Sequence, residues 1–114
     1  MKRLSRHMTL LQYLESLSSS EQKNIINGAN ADFIKLFSEI CKNISHQNIS
    51  LTQSQIKKLK RFENEILKLS QKKHSIKSRK KILTTGSFLS VFLSEIIPSL
   101  IQAILSHHEE NVHG

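Results

Sequence analysis

The stretch Thr52-Gln53-Ser54-Gln55-Ile56-Lys57-Lys58-Leu59-Lys60-Arg61-Phe62-Glu63-Asn64-Glu65-Ile66-Leu67-Lys68-Leu69-Ser70-Gln71-Lys72 decides the fold class. Ile56, Leu59, Phe62, Ile66 and Leu69 recur at spacings of three and four, the period of one helix face and not of a strand. Thr52 followed by Gln55 is a capping box, in which each side chain accepts from the other residue's backbone N–H. At about 100° per residue, Lys57, Arg61, Lys68 and Lys72 gather on the side away from the apolar face. The spacing predicts one helix with a basic ridge roughly 22 Å long, at about 1.5 Å per residue. Gln71 to His74 then reads as a corner.

Working outward, the same period recurs. Leu4, Met8, Leu11, Leu14 and Leu17 form one apolar face. Ser18 with Glu21 is a second capping box, for a short helix closed by Gly28. Asn30 or Asp32 can open a third helix, with Phe33, Ile34, Phe37, Ile40, Cys41 and Ile44 on its apolar side. Ser45 to Ser50 reads as a loop. Beyond the corner, about Ser75 to Thr84 forms a further helix. Gly86 marks a boundary, and Ser87 can cap the apolar helix after it. With three Gly and one Pro in 114 residues, a turn-rich β protein is excluded. The expected fold is all-α, a compact bundle of five to six short helices.

Charge is concentrated. The whole chain carries +8, but residues 57–81 hold eleven Lys or Arg against Glu63 and Glu65, a local +9. The remainder, with six bases and seven acids, is nearly neutral. The candidate phosphate-binding residues are Lys57, Lys58, Lys60, Arg61, Lys68, Lys72, Lys73, Lys77, Arg79, Lys80 and Lys81. Lys and Arg on a helix face neutralise phosphates and release counterions, which binds a polyanion without reading bases. Arg61 and Arg79 could grip phosphate through two nitrogens. Phe62 is the cluster's one aromatic ring and falls on the apolar face, so stacking on single strands is not expected.

Phe88 to Leu105 is the most apolar segment, twelve apolar residues in eighteen. Glu95 and Pro98 argue against an ordinary membrane span, and Pro98 should kink or divide the helix. Three readings stay open for this segment. It is the core helix of the domain, or it packs on another chain, or it enters a membrane interface. In the latter two, Phe88, Leu89, Phe92, Ile96 and Ile97 would make the contacts.

Several classes are not expected. No Gly-rich phosphate loop, nucleophile elbow or carboxylate pair suggests catalysis, and no cofactor is implied. His107, His108 and Glu109 lack a second matching pair, so no metal site is expected. Cys41 stands alone in an apolar pattern, a buried thiol suited to a reducing compartment. Met1-Lys2-Arg3-Leu4 has no uninterrupted apolar run behind it and is not read as a secretory signal.

The run Ala31-Asp32-Phe33-Ile34, then Ile44, Asn48, Leu51, Ser54-Gln55 and Lys57-Lys58-Leu59-Lys60, matches a family pattern. So does the continuation Leu67, Leu69, Lys72-Lys73, Ser75, Lys77, Arg79-Lys80-Lys81-Ile82-Leu83, Gly86 and Phe88-Leu89. Over roughly residues 30–100 the chain resembles the small basic proteins encoded beside capsid genes in Maverick/Polinton-type elements and adintovirus-like viruses. Its close, a basic run into Phe-Leu, is similar to that of the adenovirus core protein X precursor. Gly86-Ser87 departs from the Gly-Gly usual in those relatives. The resemblance implies a virion component that condenses or packages double-stranded DNA, with an apolar tail engaging capsid or membrane.

The resulting expectations are concrete. Residues 1–84 form a basic helical domain, 85–106 an apolar helix packed on it or on a partner, and 107–114 a flexible tail. The partner is double-stranded DNA, bound nonspecifically through phosphates, in a virion or host nucleus. The alternatives are a protein that docks on capsid or membrane through the apolar helix, and a structural homo-oligomer. No small-molecule substrate is expected.

Overall fold

Four of the helices start at a side-chain cap. In the computed structural model, which describes residues 2–103, seven helices precede a last helical segment at 97–103: α1 (Lys2–Glu15), α2 (Ser19–Gly28), α3 (Ala31–Ser45), α4 (Gln53–Lys60), α5 (Glu63–Ser70), α6 (Ile76–Thr84) and α7 (Phe88–Glu95). Among the described residues there is no strand. Both capping boxes form. The Glu21 N–H donates to Ser18 Oγ at 3.3 Å, and the Gln55 N–H donates to Thr52 Oγ1 at 3.1 Å. Asn30 caps α3 through the Phe33 N–H, and Ser75 caps α6 through the Ser78 N–H. Ser87 makes no such bond. The chain bends by 84° there at Gly86 instead, with φ +65°, a conformation free of Cβ strain only for glycine.

The long helix expected from Thr52 onward is divided. At Phe62 the backbone adopts φ −109° and ψ 19°, and its N–H donates to the Leu59 carbonyl three residues back. No Gly or Pro marks the place. The cause is packing: the break delivers the Phe62 ring to Phe88 at 5.4 Å between centroids. It also leaves Ile56 47% exposed, although the periodicity puts it on the apolar face.

All five phenylalanines of the chain join in one line of ring contacts. Phe33 meets Phe37, Phe37 meets Phe92, Phe92 meets Phe88, and Phe88 meets Phe62, at 5.4 to 5.6 Å. The line runs from α3 through α7 to the α4–α5 junction. Around it α3 packs on α1, α5 and α6, while α7 packs on α1, α2, α4 and α6. With neighbours on several sides, α3 buries Leu36 as well as Phe33, Ile34, Phe37, Ile40 and Cys41 of its predicted face, and half-buries Ile44. One core therefore runs from Leu4 to Leu100, crossing the division expected at position 84.

The open question about the apolar segment is thereby answered for its side chains. Phe88, Leu89, Phe92, Ile96 and Ile97 are each at most 1% exposed. They are core residues, the first of the three readings, and the alternatives in which they contact another chain or a membrane are corrected. α7 ends at Glu95, Ile96 forms a turn, and helix resumes over 97–103. Pro98 sits in the first turn of that segment, where its missing N–H would have no helical partner. Two glutamines secure α7 to its surroundings. Buried Gln22 donates to the Leu14 carbonyl at 2.9 Å and accepts from Ser90 Oγ at 3.2 Å. Gln55 donates to the Glu95 carbonyl and to Ser99 Oγ at 2.9 and 2.7 Å. Among the described residues no single helix is long and apolar enough to cross a membrane. The tail at 107–114 lies outside the described residues.

Candidate nucleic-acid interface

The eleven cations of 57–81 are spread over two helices, a break, a turn and a third helix. Lys57, Lys58 and Lys60 sit on α4, Arg61 at the break, Lys68 on α5, Lys72 and Lys73 in the turn, and Lys77, Arg79, Lys80 and Lys81 on α6. A single ridge from Lys57 to Lys72 does not form, because the break at Phe62 resets the helical phase between Arg61 and Lys68. Two basic clefts form instead. In one, Lys57, Lys58 and Arg61 of the α4 side face Ser94 and Glu95 of α7. In the other, Lys77, Lys80 and Lys81 lie with Ser75 and Thr84 of α6 beside Asn27 at the end of α2. The second cleft is lined by no carboxylate.

Nine of the eleven cations are exposed and Lys80 is half-buried. Among the described residues, the stretch contains one ion pair, Lys58 Nζ to Glu95 Oε1 at 2.9 Å. Lys80 Nζ donates to the Asn27 carbonyl at 3.0 Å, placing its charge at the negative C-terminal end of α2. The Arg61 guanidinium lies 4.7 Å from the Phe62 ring centroid, stacked as a cation on a π face. The cations of α1 are arranged in the opposite way. Arg3, Arg6 and His7 all converge on Asp32, and Arg3 also pairs with Glu39. The His7 and Arg3 hydrogen bonds, with Arg6 beside them, hold the Asp32 carboxyl well below the usual carboxylate range. Positive charge is cancelled at α1 and left standing on α4 to α6.

Arg79 requires a correction. It is 8% exposed, and its donors are spent inside the protein: Nε on the His74 carbonyl at 3.0 Å, Nη2 on the Lys72 carbonyl at 3.2 Å, and Nη1 on Ser38 Oγ at 3.3 Å. No fork is left to grip a phosphate. Residue type alone could not show this, since it depends on where the turn carbonyls lie. Asn27, Ser54 and Ser94 line the clefts without any local signal in the sequence. Glu95 stood out there only as a charge in an apolar run.

No other chemistry gathers in the described residues. No group of three His, Cys, Asp or Glu side chains could hold a metal ion, and the expectation for His107 and His108 lies outside the described residues. Cys41 is buried in α3, and burial pushes its thiol above the ordinary range, which disfavours the reactive thiolate. No protein-family model, no curated protein and no solved structure matches the chain.

Proposed function

We propose that this chain binds double-stranded DNA through its phosphates, without sequence preference, as a packaging component of a virus-like particle. The observation that carries the reading is the outward, unneutralised charge of residues 57–81: ten cations at least partly exposed, with one ion pair among them. Such a surface draws its affinity from counterion release. Stacking on unpaired bases has no support within residues 57–81, since Phe62, the one Phe, Tyr or Trp there, is in the core. Lipid is a poorer partner than DNA. A peripheral membrane helix needs an apolar face to insert, and Phe88, Leu89, Phe92, Ile96 and Ile97, the residues expected to supply it, are interior. The setting in a virion or host nucleus rests on the resemblance of residues 30–100 to the Maverick/Polinton and adintovirus-like basic proteins.

Competition between duplexes of unrelated sequence tests the central part of the proposal. Equal affinities, within about threefold, are expected for a phosphate-only interface. A preference of about a hundredfold for one sequence would contradict it, because each good base contact contributes about 1–3 kcal/mol of discrimination.

A further inference from the structure

A buried arginine normally has its charge matched by a carboxylate. Arg79 does not: its three bonds go to two main-chain carbonyls and a serine hydroxyl. The acceptors are neutral, so the guanidinium charge is not cancelled and still adds to the field above it. Their placement is more telling. The Lys72 and His74 carbonyls flank Lys73 within the turn between α5 and α6. Among the described hydrogen bonds, those two carbonyls accept from Arg79 alone. The third bond, to Ser38, anchors the same guanidinium on α3. A planar fork of five N–H groups can serve three acceptors at once, and a lysine cannot.

We propose that Arg79 is a positioning residue of the polyanion surface. It fixes the backbone that carries Lys72 and Lys73 against α3, so that these two lysines stand in a set arrangement ahead of Lys77 and Lys81. The inference rests on the phosphate-binding reading above and adds a residue to it that never touches phosphate. Without the clamp the turn samples other conformations, and its two lysines no longer engage phosphate, because holding them there would cost more conformational entropy than the contacts return.

The experiment is DNA affinity as a function of salt for the full chain and for Arg79→Lys, Lys72→Gln/Lys73→Gln, and the triple variant. Each neutralised phosphate contributes about 0.9 to the logarithmic slope. The double Gln variant should therefore flatten the slope by about 2. Arg79→Lys keeps the net charge and should flatten it by a similar amount, with affinity falling about tenfold or more. In the triple variant the losses should not add, because Arg79 acts through the two lysines. A role in stability alone would leave the slope of folded Arg79→Lys unchanged; that result, or additive losses, overturns the inference. If Arg79→Lys does not fold, Ser38→Ala removes one anchor with no change of charge. It should flatten the slope in the same direction and show the same non-additivity with the lysine pair, and an unchanged slope overturns the inference. A flat slope in the unaltered chain instead defeats the phosphate-binding reading itself, which keeps the two failures distinct.

Discussion

The ring of Phe37 on α3 lies 5.6 Å from the ring of Phe92 on α7. That contact joins the central helix to the segment whose apolar composition had left its destination open. Both rings are fully buried, so α7 belongs to the interior. Phe92→Ala should cost about 3–5 kcal/mol, the usual range for a buried phenylalanine. Against a domain stability of about 5–15 kcal/mol, the variant should unfold at much lower urea. A change below about 0.5 kcal/mol, as for a surface substitution, would mean that Phe92 faces outward.

Glu95 is the acid of the cleft between α4 and α7, and it holds Lys58 at 2.9 Å. Glu95→Gln removes a negative charge from the proposed DNA surface and releases Lys58. DNA affinity should rise severalfold at low salt, and the salt slope should steepen by about 1. Stability should move by no more than about 1 kcal/mol, since the Lys58 side chain is half exposed. For the same reason Lys58→Gln should weaken binding less than Lys57→Gln. An unchanged or lower affinity for Glu95→Gln would contradict this arrangement.

Asp32 ties α1 to α3 through His7, Arg3 and Arg6. Its folded pKa is depressed, so the stability it contributes is present above the ordinary aspartate value of about 3.9 and is lost as pH falls below it. Acid unfolding should therefore steepen below about pH 4. Asp32→Asn should be less stable at neutral pH and show a flatter acid limb, with the two proteins converging at low pH. Parallel acid limbs for the two would show that the carboxylate is not held in this way.

Much of the architecture was legible because it is local. Ser18 with Glu21, Thr52 with Gln55, and Asn30 each cap the helix they precede, using bonds across three residues. The features that were not legible depend on distant neighbours. The break at Phe62 has no helix breaker in it and exists because that ring reaches Phe88. Leu36 lies off the predicted face of α3 and is buried because helices surround α3 on several sides. Arg79 counts as one more cation until the carbonyls of Lys72 and His74 are seen around it. The location of the basic charge was readable from composition; its division into two clefts was not.

Gln47 closes α3 in a left-handed conformation at φ 58°. The surrounding bonds, Asn48 N–H to the Asn43 carbonyl and Gln47 N–H to the Ile44 carbonyl, form a Schellman motif, in which glycine is the usual residue at this place. Gln47→Gly relieves the Cβ contact of the left-handed region and should stabilise the fold by up to about 1 kcal/mol. Thermal unfolding measures it. A loss of stability, as expected for glycine in an ordinary helical position, would contradict the assignment of strain.

The most direct measurement of the central claim is the affinity of the full chain for a duplex between about 50 and 200 mM salt, beside the variant with Lys57, Arg61, Lys68 and Lys72 replaced by Gln. With about six phosphates engaged, the slope should be about −5 and affinity should fall about a thousandfold over that range. The fourfold variant should lose at least about 2 of that slope while its stability stays near that of the unaltered chain. A slope near zero, or equal binding by the two proteins, would contradict the account.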